Sequence, residues 1–254
     1  MEKSYTQAIV RPPGESYAQA ISSTGRTPDV QLARLQHAEY RQALAEAGVT
    51  IEQLPPHETY PDSCFVQDTA LVVAGIAIIA RPGAQSRRGE EGLIAEFLAD
   101  RYPLSHITDP GTLEFGDVMF LDERILVGET ARTNTAGIQQ LEAILSPHNI
   151  PVTSVPVNDY LHLLSAATYL GKDTLLATGE FAEHPAFAGL EVIPVPAEEA
   201  YAANALGIGE HDNLPAGYPR EAESVSARGF QVLPVDLSQF EAADGGATCL
   251  SIIW

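Results

Sequence analysis

The eleven residues ALVVAGIAIIA, positions 70–80, fix the reading of the chain. Two short apolar, β-branched runs flank Gly75, a pattern that predicts a tight hairpin. A helical pattern follows over 86–101, with Leu93, Ile94, Phe97 and Leu98 on one face, and then a strand over Leu104–Ile107. The order hairpin, helix, strand then recurs. Residues 117–127 predict a hairpin across Asp122-Glu123, 134–148 a helix and 152–157 a strand. Residues 166–178 predict a third hairpin turning at Gly171-Lys172-Asp173. A poorly helical stretch near 185–189 and a strand over 191–195 come after it. A fourth hairpin opens over 202–208, before a helix over 219–227 and a strand over 231–235.

A fifth unit appears only when the two ends of the chain are joined. Ala247–Ile253 supplies one strand, Thr6–Arg11 a second, Asp29–Ala47 the helix and Val49–Leu54 the last strand. No single unit has enough surface to bury its own apolar face, so five units in a closed ring would share one core. The fold class expected is therefore α/β, a single domain over residues 1–254 of five ββαβ-type units with pseudo-fivefold order. No Pro/Gly/Ser-rich linker divides the chain.

Composition narrows the function. The 254 residues carry 14 Lys and Arg against 34 Asp and Glu, a formal net charge of -20. Phosphate neutralisation needs a basic surface, so nucleic acid is not the expected partner, and an anionic membrane would repel the chain. The N-terminal Met1-Glu2-Lys3-Ser4-Tyr5 has no signal-peptide apolar core, and the longest apolar run, 70–80, is too short to span a bilayer. Two widely separated cysteines, Cys64 and Cys249, cannot build a disulfide framework or a Cys-based zinc module. The expected location is cytoplasmic. Nucleotide-binding glycine motifs, H-E-x-x-H, G-x-S-x-G and C-x-x-C are all missing from the sequence.

The loops before the hairpins hold the chemistry. Asp68, Glu114, His162 and Cys249 occupy equivalent places in four units, and equivalent places in a ring converge on its axis. Read singly, all but Glu114, an acidic residue between two apolar ones, have a plainer explanation. Cys249 in an apolar strand suits an inert core thiol, His162 between two leucines a satisfied core histidine, and Asp68 or Asp117 a turn. Arg87-Arg88 alone suits a solvated helix start. Their shared location argues otherwise. A thiolate attacks electrophilic carbon, an imidazole moves protons, and carboxylates grip a planar guanidinium with paired hydrogen bonds.

These residues and their neighbours resemble the bacterial dimethylarginine dimethylaminohydrolases of the pentein, or guanidino-group-modifying, superfamily. The stretches that carry the resemblance are Pro61-Asp62-Ser63, Phe65-Val66-Gln67-Asp68, Arg81 to Arg88, Gly111 to Asp117, Ala131 to Asn134, Leu161-His162-Leu163, Ala202-Ala203-Asn204 and Asp244-Gly245-Gly246 with Thr248-Cys249. The resemblance implies a five-bladed α/β propeller of ββαβ units, in agreement with the repeat count. It also implies a hydrolase of Nω-methylated arginine with Cys249 as nucleophile and His162 as general acid and base. Asp68 and Glu114 match the carboxylates that hold the guanidinium, Asp62 the residue for the α-ammonium, and Arg87 and Arg132 the α-carboxylate clamp. A lid is expected around Gly14–Gly25, with Ile21 as its apolar residue.

Two positions depart from the family pattern. Gln67 stands where the family has Glu, and Leu164 where it has Lys. Gln67 would remove a negative charge beside the substrate head, which favours a neutral ureido group. The alternatives are thus a citrulline ureidase, an arginine deiminase, or a non-catalytic arginine-binding protein on the same fold. The expected partner is a small guanidino or ureido amino acid. No metal and no organic cofactor is implied, and the sequence leaves a homodimer open.

Overall fold

The computed structural model describes residues 5–254, except for the side chains of Glu180 and Asn213. Residues 1–4, which begin the stretch read above for a signal peptide, lie outside the described residues. In chain order, β1 is Gln7–Val10 and β2 is Thr50–Gln53. The next sheet holds β3 (Ala70–Val73), β4 (Ile76–Ile79) and β5 (Leu104–His106). Then come β6 (Val118–Leu121), β7 (Arg124–Glu129) and β8 (Val152–Pro156), followed by β9 (Ala167–Gly171), β10 (Thr174–Thr178) and β11 (Glu191–Val195). The chain ends with β12 (Leu206–Ile208), β13 (His211–Pro215), β14 (Gln231–Val235) and β15 (Ser251–Ile253).

These strands form five three-stranded sheets, the blades of a five-bladed α/β propeller. In four blades a hairpin pairs two strands antiparallel, and the third lies parallel to the second after a crossover. Ala74 and Gly75, both at positive φ (51° and 78°), turn the 70–80 hairpin as a two-residue type I′ loop requires. The fifth blade joins the chain ends: β15 pairs antiparallel with β1, placing Ile9 opposite Ile252, and β1 lies parallel to β2. Tyr40, on the Val30–Glu46 helix of that blade, shares a 2.7 Å buried hydrogen bond with Ser251.

The sequence reading differs from the structure in four places. The helix expected over 86–101 is broken. A 3-10 turn at Gln85–Arg87 ends before Gly89, whose φ of 112° suits glycine, and the α-helix runs only over Glu90–Ala99. The strand expected over 247–253 begins at Ser251, because Ala247–Leu250 is a 3-10 turn held from the neighbouring blade by Asn204. The fourth hairpin likewise starts at Leu206, after a 3-10 segment at Ala197–Ala203. Finally, the apolar interior is not one shared core. It forms five clusters among the described residues, each between adjacent blades. The physical reason is that polar groups and cavities take up the axis. The poorly helical stretch of the third blade does form only 3-10 turns, at Gly179–Glu183 and Pro185–Phe187. No described helix is long and apolar enough to cross a membrane.

Closure of the ring rests on the β1–β15 pair, and Ile9 there is fully buried. Ile9→Ala should lower unfolding free energy in urea by about 2–5 kcal/mol. Leu35→Ala, at a largely exposed helix position, should change it by less than about 0.5 kcal/mol.

Candidate active site

A short helical turn precedes the inner strand of every blade: Val66–Thr69, Phe115–Asp117, Leu163–Ala166, Ala197–Ala203 and Ala247–Leu250. Asp68 and Cys249 sit third in their turns, while Glu114 and His162 immediately precede theirs. This common construction brings distant residues to one end of the axis. Ile21, Asp62, Asp68, Arg87, Arg132, His162 and Cys249 all line one small cavity. Glu114, wholly buried, lies behind it against His162.

Ion pairs and hydrogen bonds fix each group. His162 Nε2 is 2.9 Å from Glu114 Oε2, and Arg132 Nη1 donates to both Glu114 oxygens at 3.3 Å. The Ala84 backbone N–H also donates to Glu114, at 3.1 Å. Asp68 accepts from the Gly116 N–H at 3.0 Å and from Arg87 Nη1 at 2.5 Å. Gly116 has to be glycine, since a Cβ there would lie 2.6 Å from His162 Nδ1 and 2.7 Å from Asp68 Oδ1. Gly245 is constrained in the same way by the Phe65 ring, 2.2 Å from where its Cβ would be.

The charges decide the protonation states. Burial disfavours a charged His162, but Asp68, Asp117 and Glu114 outweigh it and push its pKa up to about 9. Glu114 is held below the usual carboxylate range: burial opposes this, yet the His162 hydrogen bond and the arginines prevail. His162 is therefore an imidazolium at neutral pH, poised to give a proton. The Cys249 thiol is pushed up to about 11 by burial and by Asp68, against the opposing Gly246 N–H, 3.4 Å from Sγ, and Thr248. Asp62 is raised by burial and accepts the Ile21 N–H at 3.1 Å.

The stretch expected to act as a lid lies over the cavity. Tyr17 is buried against Phe65 and Phe240, and Ser23 binds Asp244 through both its N–H (2.6 Å) and its hydroxyl (2.8 Å). Asp244, which also lines the cavity, was not picked out individually in the sequence, nor was Glu90, the buried partner of Arg87. Asp117 suits a turn in sequence, but it is wholly buried. It accepts from Leu163 N–H (3.0 Å) and Thr130 Oγ1 (2.8 Å), anchoring the turn that follows His162.

Gln67 does not join this group. Its side chain donates to the Phe115 carbonyl at 3.0 Å and lines a second cavity, between the inner strands, where Leu164 lies too. The expectation that it flanks the substrate head is corrected here. Adjacent residues of a tight turn point in different directions, and only Asp68 points toward Cys249.

Asp68, Glu114 and His162 could in principle hold a cation, since their ligand atoms lie within 4.8 Å of one another. Their negative charge is instead matched by Arg87, Arg132 and the protonated imidazole, which has no free lone pair for a metal.

Fold and site together define the class, a pentein with a cysteine-centred site at one end of the propeller axis. The model of the family described as N,N dimethylarginine dimethylhydrolase, eukaryotic, matches residues 17–213. The chain is 41% identical over 252 residues to the N(G),N(G)-dimethylarginine dimethylaminohydrolase of Pseudomonas aeruginosa, covering 98% of this chain and 99% of that one. It is similar to the crystal structure of a C249S mutant from that organism complexed with citrulline, with a TM-score of 0.97, 40% identity and coverage of 99% and 100%. A dimethylarginine dimethylaminohydrolase H162G adduct with S-methyl-L-thiocitrulline superposes with a TM-score of 0.96 at 40% identity, covering 98% and 100%. The chain belongs to the dimethylarginine dimethylaminohydrolase family.

The raised His162 pKa has a sign that can be checked. Folding favours the protonated ring, so its stabilisation is fully present below the unfolded value of about 6.5. It is lost as pH rises through about 9. By NMR, His162 should titrate near 9, and Glu114→Gln should move that midpoint down. The stability gap between wild type and Glu114→Gln should be widest between about pH 5 and 6.5 and narrow above pH 9.

Proposed function

We propose that this protein hydrolyses Nω-methylated arginine, with dimethylarginine giving citrulline and dimethylamine. The observation that carries the reading is the convergence of Cys249, His162, Asp68 and two arginines on one cavity, with Glu114 paired to His162. Asp68 receives the N–H edge of the guanidinium, Glu114 acts from behind the cavity through His162, Asp62 receives the α-ammonium, and Arg87 and Arg132 the α-carboxylate. Ile21 covers the aliphatic chain.

A bound cation offsets the carboxylates that keep the Cys249 thiol protonated, and the thiol loses its proton to solvent. The thiolate attacks the central guanidinium carbon. His162 gives its proton to the dimethylamine nitrogen, the C–N bond breaks, and a Cys249 thiouronium remains. Neutral His162 then takes a proton from water as the hydroxide adds to that carbon. The C–S bond breaks, the O–H proton passes to the departing sulfur, and citrulline leaves. His162 and Cys249 handle the protons of both half-reactions, with solvent taking the first thiol proton and water supplying the hydroxide.

Gln67 faces away from the cavity, so its lost charge no longer favours a ureido substrate. The strong acidic balance supports a small zwitterion rather than nucleic acid as partner, and the two free cysteines suit a cytoplasmic enzyme.

Purified protein assayed with dimethylarginine, arginine and citrulline should release dimethylamine from the first, and Cys249→Ser should abolish turnover. Turnover of citrulline alone would overturn the substrate assignment. Arg132→Ala should raise KM for dimethylarginine by about 10- to 100-fold, as expected for a lost charge-assisted hydrogen bond. KM for a simple alkylguanidine, which has no carboxylate, should change by less than about threefold.

A further inference from the structure

Arg87 is nearly buried, and a buried guanidinium needs its donors accounted for. Nε donates to both Glu90 oxygens at 3.3 and 3.2 Å, and Nη2 donates to Glu90 Oε2 at 2.8 Å and to the Phe65 carbonyl at 3.1 Å. Nη1 donates to Asp68 at 2.5 Å. One edge of the guanidinium is thus clamped by Glu90, and four of the five N–H groups are engaged. The N–H left over is on Nη1, the nitrogen bonded to the cavity-lining Asp68.

Two carboxylates compete for this one cation. Asp68 lines the cavity and is the group proposed to grip the substrate head, whereas Glu90 does not line it. Without Glu90, Arg87 would have Asp68 as its sole ionic partner. Its existing bond to Asp68 would remain, but the guanidinium would be free to rotate about it and lose the orientation that leaves an N–H facing the cavity. The local chain geometry serves this arrangement. Gly89, at φ 112°, breaks the helical path between Arg87 and Glu90, so both side chains turn inward, while Arg88 between them reaches back to the Pro82 carbonyl at 3.1 Å. Glu90, the first residue of its helix, is 2% exposed, an extreme burial for a helix-start glutamate, which ordinarily faces water.

We propose that Glu90 is a positioning residue. It holds Arg87 by its Nε/Nη2 edge so that Nη1 is presented to the α-carboxylate of an amino-acid substrate, and thereby sets the preference for amino-acid guanidines over simple ones. The inference rests on the assignment of Arg87 and Arg132 to the substrate carboxylate. Glu90 touches neither substrate nor the reacting atoms and acts only through Arg87. Arg11, whose guanidinium donates to the Pro55 carbonyl, does not take its place.

The test compares kcat and KM for dimethylarginine and for an alkylguanidine in wild type, Glu90→Gln, Glu90→Asp and Arg132→Ala, with folding checked by circular dichroism. Glu90→Gln should raise KM for dimethylarginine by about tenfold or more, leaving kcat and the alkylguanidine KM within about threefold. Glu90→Asp keeps the charge but withdraws it by one methylene, and should show the same selective loss. Equal KM rises for both substrates would mean that Glu90 acts through net charge, and wild-type behaviour of Glu90→Asp would mean that placement is unimportant. Either result overturns the proposal. If Arg132→Ala discriminates between the substrates and Glu90→Gln does not, the positioning role fails while the functional reading stands. If Arg132→Ala does not discriminate, the carboxylate assignment itself fails. Should Glu90→Gln not fold, Glu90→Asp decides alone.

Discussion

Two arginines hold the active end of this propeller together. Asp62, Asp68, Glu90, Glu114 and Asp117 are all buried there. An uncompensated buried carboxylate costs several kcal/mol, so such a cluster can exist only if cations are threaded through it. Arg87 bridges Asp68 and Glu90, and Arg132 together with His162 answers Glu114. What remains is an excess of negative charge facing a cavity, which is the field a guanidinium substrate would complete. The same field pushes the Cys249 thiol up and favours the charged imidazole of His162.

The architecture makes that cluster affordable. Each blade ends its approach to the axis in a short helical turn, so five turns converge where five inner strands begin. Packing between adjacent blades supplies the apolar stabilisation, and the axis is left free for polar groups. Backbone donors at the turns share the work: Gly116 N–H serves Asp68, Ala84 N–H serves Glu114 and Gly246 N–H serves the sulfur. Glycines at 116 and 245 let the turns approach functional side chains that a Cβ would strike.

The blade order, the crossover helices and the joining of the termini were legible in the sequence because they depend on local periodicity. Where an element was held by a distant partner, local pattern failed. The stretch 247–253 suits a strand in sequence, yet Asn204 from another blade holds 247–250 coiled. The helix over 86–101 was read as continuous, since Gly89 costs only about 1 kcal/mol in a helix, and the two buried charges that require the break are invisible to periodicity.

By itself the sequence determined the repeat, the pseudo-fivefold ring and the residues with reactive chemistry in equivalent loops, since residue type and spacing encode these directly. Only the tertiary structure decided which way each side chain points. Gln67 and Asp68 are neighbours in sequence, but one lines the cavity between the inner strands and the other the cavity with Cys249. Arg87-Arg88 alone suits a solvated helix start, yet Arg87 is buried and paired with the buried Glu90. Direction and burial arise from how the turns and blades pack together, which no local pattern in the sequence carries, even where the paired charges, Arg87 and Glu90, are only three residues apart.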